Sequence, residues 1–361
     1  MEEKFRDVGF NGSINVRYKN AQGSSGIWHK DQQELLQEIV NIVNTYQRQN
    51  ITLTNRQLYY QLVASNIIPN AVEIYKRICT FLTDARYGGF LDWDAIEDRG
   101  RTPERHSQWD NVKDLINSAV YSYRLPRWQN QEYYVELFCE KDAMGSVLKP
   151  VANQYHIYFG CNKGYSSAAT MYELYRRLYK QLFDEKDNFT SDYKKCVILY
   201  LGDHDASGLD MVRDIRERIS EFLRKSFEDN TVFNDDEITD ILGDTGDEDK
   251  DYDAVFRVAH LALTSEQVEE YNPPPNPAKI TDPRAAAYIE RHGRTSWELD
   301  SLRPDVLRRI AEDGIKEYID INKYNAVIKQ EKEEIQVLKD FCESKKIKDL
   351  MKKTEKLLKE E

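Results

Sequence analysis

No apolar run in the 361 residues approaches the roughly 18 needed for a membrane span, so no membrane association through a helix is expected. The first ten residues, MEEKFRDVGF, lack the apolar stretch of a secretory signal, which points to a cytoplasmic chain. Cysteine is scarce: Cys79, Cys139, Cys161, Cys196 and Cys342 are an odd number, widely spaced, with no C-x-x-C pair. That argues against a zinc ribbon or a disulfide framework and for reduced thiols. No G-x-x-x-x-G-K-[ST] segment is present, so the chain itself is not expected to be an ATPase. There is also no internal repeat.

What is there has the balance of a folded chain with room for two cores: 40% hydrophobic and 32% charged residues. The net charge is −12, but its distribution is uneven. Residues 228–253 hold twelve Asp and Glu against one Lys, net −11, which leaves −1 for everything else. A nucleic-acid partner is therefore not excluded, because local patches decide phosphate contact.

The pattern divides the chain into four parts. Residues 1–29 are polar and glycine/serine-rich and are expected to form a loosely held arm. Residues 30–128 open with three helical patterns: LLQEIVNIVNTY, TNRQLYYQLVA behind the cap candidate Thr54, and VEIYKRICTFLTDAR, stopped by Gly88-Gly89. A short strand and an arginine-rich turn follow, the layout of a winged helix. Residues 129–318 change texture. VELFCE, KCVILYL and FRVAHLAL are short apolar runs separated by helical stretches, which predicts an α/β fold with a parallel sheet. The acidic segment 228–253 is expected to be an insertion loop between helix and strand. The proline-rich YNPPPNPAKITDPR predicts an irregular surface segment. Residues 319–361, dense in Lys and Glu, predict one long solvated helix.

Two of the apolar strands end in acids. Glu140 closes VELFCE, and Asp203 and Asp205 follow the second strand in ILYLGDHDASG. Open α/β sheets place their sites at the carboxyl ends of such strands. In an extended D-x-D, residues i and i+2 point the same way, so Asp203 and Asp205 are expected to share one ion. Clustered carboxylates repel unless a cation lies among them, and hard oxygen ligands suit Mg²⁺. His204, pointing the other way, is expected to be structural. Alone, a D-x-D after a strand is also an ordinary helix cap.

The helix TNRQLYYQLVA carries Leu58, Tyr59, Leu62 and Val63 on one apolar stripe, with Tyr60 roughly 130° from its centre. Tyr59 therefore reads as core and Tyr60 as available. Arg56, four residues earlier, shares the face of Tyr60. A phenol with a pKa of about 10 is a poor nucleophile near neutrality, and a neighbouring guanidinium favours the phenolate and can hold a phosphate. Most of the 23 tyrosines must nevertheless be packing or surface residues.

Glu140 in FCEKDAM and Asp203/Asp205 in GDHDASG resemble the Glu and Asp-x-Asp motifs of Toprim domains, found in topoisomerases, primases and nucleases. NKGYSSAATMYEL is similar to the G-K-G-Y-P segment that topoisomerase VI A subunits carry between those motifs. ILYLGDHDASGLDM resembles their strand-D-x-D-P-Y-G-x-D-I run, with Ala206-Ser207 in place of Pro-Tyr. Arg56-Gln57-Leu58-Tyr59-Tyr60 resembles the R-x-[hydrophobic]-Y/F-Y motif of that family and of the meiotic break-forming transesterase. The likeness spans roughly residues 50–310 and extends to the stand-alone relatives called topoisomerase mini-A. It implies that Glu140, Asp203 and Asp205 hold Mg²⁺ and that Tyr60 attacks the phosphodiester, assisted by Arg56 and Glu140. It further implies a homodimer in which Tyr60 of one subunit meets the metal of the other, and a separate ATPase subunit for any strand passage. Trp297-Glu298-Leu299-Asp300 resembles the family's closing E-x-x-A-L segment, which makes Glu298 a candidate fourth acid.

Lys76, Arg77 and Arg86 on the third helix, with Arg99, Arg101 and Arg105 on the following turn, form a basic set suited to the phosphates of duplex DNA. Lys279 and Arg284 are further candidates. The alternative is a solvated face whose arginines pair with Asp84, Asp92, Asp94, Glu97 and Asp98. Three functions are consistent with these residues: a DNA-cleaving tyrosine transesterase, a hydrolytic Toprim nuclease of a defence system or mobile element, and a non-catalytic DNA-binding scaffold.

Overall fold

The computed structural model describes residues 16–19, 25–28, 30–97, 107–161, 166–243 and 254–360. A hairpin of β1 (Val16–Lys19) and β2 (Ser25–Trp28) leads into α1 (Lys30–Gln47), β3 (Leu53–Thr54), α2 (Asn55–Ala64) and α3 (Val72–Tyr87). The start of α2 is set locally. The Thr54 hydroxyl accepts the Gln57 N–H and the Gln57 side chain accepts the Thr54 N–H at 2.8 Å, a reciprocal capping box. Helix α3 stops at Gly88, and Gly89, at φ +76°, turns the chain where a side chain would be strained. The expected basic strand reduces to β4 (Ile96–Glu97), which pairs in parallel with β3. Arg99, Arg101 and Arg105 lie outside the described residues.

After α4 (Val112–Ser122) come β5 (Tyr133–Cys139), α5 (Gly145–Tyr155), β6 (Tyr158–Cys161), α6 (Ala168–Leu182) and β7 (Lys195–Leu201). Next are α7 (Ala206–Asn230), α8 (Asp235–Leu242) and β8 (Phe256–Ala262). The fold is α/β, mostly helical, around a four-stranded sheet in the order β6-β5-β7-β8. β5 is parallel to β6, and β7 to β8. The Glu140 N–H donates to the Leu201 carbonyl at 2.9 Å, which aligns the carboxyl ends of β5 and β7. Continuous apolar strands are what a sheet covered on both faces requires: Cys196 to Leu201 are all buried. Each such Val, Leu or Ile contributes about 1.5–3 kcal/mol. The sheet grows from β5 outward to β6, then from β7 outward to β8. Strand order thus reverses between β5 and β7, and such a reversal opens a crevice at the carboxyl ends.

The remaining elements are α9 (Ser265–Tyr271), β9 (Asn276–Pro277), α10 (Ala285–His292), β10 (Thr295–Ser296), a 3-10 turn at Leu299–Ser301, α11 (Pro304–Lys316), α12 (Ile321–Glu343) and α13 (Lys345–Glu360). β9 and β10 pair antiparallel, so the proline-rich segment is partly ordered as a strand. Among the described residues no helix is long and apolar enough to cross a membrane.

The chain forms two compact units. Met1–Arg99 and Val135–Glu317 make the first; Gly100–Tyr134 and Tyr318–Glu361 make the second. The division differs from the expected borders at 128/129 and 318/319, because α2 packs against the 299–301 turn and joins the N-terminal helices to the sheet. In the second unit the expected single tail helix is broken at Ser344 into α12 and α13, which pack on α4. There Glu331, 4% exposed, accepts from Arg127 Nη2 at 2.9 Å and from the Leu125 N–H at 3.0 Å. The acidic segment is not wholly a loop. Residues 228–230 finish α7, and Asn234 caps α8, whose first turn carries Asp235, Asp236 and Glu237 where the helix dipole favours them. Residues 244–253 lie outside the described residues.

Candidate active site

Five acids converge at the crevice. Glu140 follows β5, and Asp203 and Asp205 follow β7. Glu298 precedes the 3-10 turn and Asp300 lies within it, and the segment entering the turn is held against the D-x-D loop by backbone pairing. The His204 N–H donates to the Trp297 carbonyl at 2.8 Å, and the Trp297 N–H returns to the His204 carbonyl at 3.1 Å. The Leu299 N–H donates to Asp203 Oδ1 at 2.8 Å, and the Asp203 N–H donates to Glu140 Oε2 at 2.9 Å. Asp205 is divided between two tasks. Its Oδ1 caps α7 by accepting from Ser207 and Gly208 at 3.0 and 2.8 Å, and its Oδ2 lies 3.2 Å from Lys279 Nζ. Asp205 thus acts as the helix cap, with its second oxygen turned to Lys279. Gly208 permits the turn: a Cβ there would fall 2.1 Å from the Asp203 carbonyl oxygen.

Three cations thread the acids. Lys141 Nζ lies 2.8 Å from Asp203 Oδ1 as an ion pair, and donates to Glu298 Oε2 at 3.0 Å and to Asp300 Oδ1 at 3.1 Å. Arg56 Nη2 bonds Glu298, and its Nε lies 3.1 Å from Asp300 Oδ2, an ion pair whose alignment stops short of a hydrogen bond. Lys279 is the third. Five carboxylates against three cations leave two formal negative charges uncompensated, the charge of one divalent ion.

The electrostatics follow from burial in a crowded polar cluster. Burial pushes Asp203 up to about 6, against the pull of Lys141, with Glu140 adding to the rise. Asp300 is likewise raised to about 6 by burial, opposed by Lys141 and Arg56. Glu140 rises by burial and the nearby charge of Asp205, with the Asp203 N–H opposing. For Glu298 burial also disfavours the charge, but Lys141 and Arg56 outweigh it and hold the carboxyl down to about 2. Burial disfavours the Lys141 charge too, and Asp300, Asp203 and Glu298 reverse that and raise it.

The donor set of hard carboxylate oxygens fits Mg²⁺ in kind. Among the described residues, however, no three His, Cys, Asp or Glu side chains are gathered as a ligand cage. The reason is local: Glu140 turns an oxygen to the Asp203 N–H, Asp205 to its helix cap, and Asp203 to Lys141.

Tyr60 differs from expectation. It is 3% exposed, as buried as Tyr59 at 4%. The single-stripe reading fails because α2 is covered on several sides: Gln57 through Leu62 are all buried. The Asn276 side chain donates to Tyr60 Oη at 3.4 Å, and the Arg56 guanidinium lies 5.9 Å from the ring centroid. Arg56 does favour the phenolate, but burial, Asp300 and Glu298 outweigh it and push Tyr60 up to about 12. Tyr59 is a core residue whose hydroxyl accepts the Ala71 N–H at 2.8 Å. Tyr60 and the acids belong to the same chain and the same compact unit.

Of the expected basic set, Lys76 and Arg77 are exposed on α3 beside a groove of about 510 Å³ also lined by Ile68, Pro69 and Phe81. Arg86 is engaged instead in holding the 93–96 segment, donating to the Ile96 carbonyl at 2.8 Å and lying 6.0 Å from the Trp93 ring centroid. Arg284 is bound to Asp210 at 2.8 Å and Asp282 at 2.9 Å. His204 is buried, its ring 3.1 Å from both Tyr288 Oη and Ser265 Oγ, a structural arrangement. Sequence reasoning missed Lys141, Asp300 and Asn276. Glu298-x-Asp300 repeats the acid-x-acid spacing of Asp203-x-Asp205, a signal that was there to use. Nothing in the sequence marks Lys141 beyond its place beside Glu140.

No protein-family model matches the chain, and no curated protein matches it.

Proposed function

We propose that the chain cleaves phosphodiester bonds of duplex DNA with Mg²⁺ held by Glu140, Asp203 and Asp205, as its resemblance to winged-helix–Toprim proteins of the topoisomerase VI A kind implies. The observation that carries this reading is the set of acids at the point of strand-order reversal, with a residual formal charge of two. A bound Mg²⁺ would supply a Lewis acid for the phosphoryl oxygen and for the leaving group. The protein's own part is to hold that charge pattern. The Leu299 N–H fixes Asp203, the Asp203 N–H fixes Glu140, and Lys279 sits at the rim with a side chain 67% exposed, able to meet a phosphate. Lys76 and Arg77 on the exposed face of α3 extend phosphate contact away from the acids.

Two attacking groups fit. Water is favoured by the burial of Tyr60 and by its raised pKa, which leave the phenol covered and protonated near neutrality. Attack by Tyr60 is the second reading, favoured by Arg56, which lies over its ring and ties it to Glu298 and Asp300. That route requires the Asn276 segment to move off the hydroxyl. A homodimer and a separate ATPase partner belong to the second reading.

Supercoiled DNA incubated with protein and Mg²⁺, then denatured with and without protease, separates the two. Hydrolysis leaves free 5′-phosphate ends that survive Tyr60→Phe. Transesterification leaves protein-linked ends that this change abolishes. Binding without cutting, unaffected by Asp203→Asn, would leave only a DNA-binding scaffold.

A further inference from the structure

We propose that Lys141 Nζ is a resident counter-ion for the acid site, exchanged for the divalent cation when that ion binds. The inference rests on the metal reading above and specifies how the site is kept assembled without the ion. Three carboxylates from two separate segments, Asp203 after β7 and Glu298 and Asp300 at the start of and within the 3-10 turn, meet on one ammonium at 2.8–3.1 Å. Those acids would otherwise repel across a buried crevice, where Asp203 and Asp300 are 4% and 1% exposed. An ammonium with three donors and a dication with several oxygen ligands satisfy the same oxygens, so both cannot hold Asp203 Oδ1 fully. Asp300 Oδ2 is buried and meets Arg56 Nε at 3.1 Å as an ion pair without a hydrogen bond.

The stem of Lys141 allows the exchange. Its side chain is 21% exposed, on the strand-end loop that also carries Glu140, so the ammonium has a route toward solvent. Released from Asp203, it stays beside Arg56, because both reach Glu298 Oε2. The incoming dication thus brings two positive charges where Lys141 had supplied one, so part of its charge only replaces what the ammonium already gave Asp203. Metal affinity is set by the difference, and a site stable without metal is a site in which the ion must compete.

The exchange is tested in the unaltered protein first. Amine acylation by an N-hydroxysuccinimidyl acetate, read by mass spectrometry, should be slow at Lys141 in EDTA and several-fold faster with Mg²⁺ or Mn²⁺. The exposed Lys76 serves as reference amine, and NaCl at equal ionic strength as control. In Lys141→Met, thermal unfolding in EDTA should come at lower temperature, Mn²⁺ should restore it, and Mn²⁺ should bind about tenfold more tightly by calorimetry. Calorimetric binding of Mn²⁺ with Lys141 reactivity unchanged would overturn the exchange while leaving the metal site standing. Equal or weaker Mn²⁺ affinity in Lys141→Met would overturn it too. No Mn²⁺ binding to the unaltered protein would overturn both. Should Lys141→Met fail to fold, acylation of the unaltered chain decides alone.

Discussion

Arg56 Nε lies 3.1 Å from Asp300 Oδ2, and through that contact the helix bearing Tyr60 is tied to the acids of its own chain. The family resemblance implies a tyrosine reaching the partner subunit's metal; here the phenol and the carboxylates share one unit. Arg56→Ala would leave Asp300, wholly buried, with Lys141 alone. We expect a loss of about 1–2 kcal/mol by urea denaturation, since the guanidinium is itself part-exposed. An unchanged midpoint would show that the tie is incidental.

Asp205 separates capping from charge. Asp205→Asn keeps an oxygen to accept the Ser207 and Gly208 N–H groups and removes the negative charge beside Lys279. Asp205→Ala removes both, at about 1 kcal/mol for the lost cap. Both variants should lose Mg²⁺-dependent cleavage, and only the second should unfold at lower temperature. Full cleavage by Asp205→Asn would remove this residue from the metal set.

Gly208→Ala brings a Cβ to 2.1 Å of a backbone carbonyl and 2.9 Å of its carbon, with no flexible side chain to yield. The D-x-D turn must shift as a whole, at a cost of about 3 kcal/mol or more. Differential scanning calorimetry would register this as a large drop in Tm; a stable, active variant contradicts the geometry.

The pH response has a definite sign. Asp203 and Asp300 rise to about 6 from an ordinary 3.8, so in the metal-free protein each contributes stability that is full below 3.8 and is lost as pH rises through 6. A dication needs the charged forms, so its affinity should fall below pH 6, about tenfold per pH unit for each proton displaced. Glu298, held down to about 2 from 4.5, stays charged across this window; its contribution is present above 4.5 and is lost only as pH falls through 2. The rise in Tm produced by Mn²⁺ should therefore shrink between pH 7 and pH 5. A constant rise down to pH 5 would contradict the burial of Asp203.

Much of the scaffold was legible in the sequence. Three of the four sheet strands were apolar runs long enough to stand out, and the Thr54 and Gly88 boundaries carried their own cap chemistry. β6 was not, because Tyr158–Cys161 is four residues without a distinct run. The acids Glu140, Asp203 and Asp205 could be placed at strand ends because a parallel sheet delivers its carboxyl ends to one edge. Tyr60 was misplaced because a helical wheel presumes one buried face, and α2 has several. Lys141, Arg56 and the Glu298/Asp300 pair meet through contacts between residues up to about 240 positions apart, which no local pattern encodes.

The composition of the second unit also bears on how the chain comes into being. Helix α4 buries none of its residues fully, yet its Ile116 and Val120 line one wall of the groove shared with α12 and α13, whose sequences begin about 200 residues later. On the ribosome α4 is made first and must wait, apolar side bare, while residues 135–317 of the first unit are synthesised. That interval is when association with other nascent chains is most damaging. Helices α12 and α13, once they arrive, pack against that face, with Ile335, Met351 and the stems of Lys348 and Lys352 lining the groove.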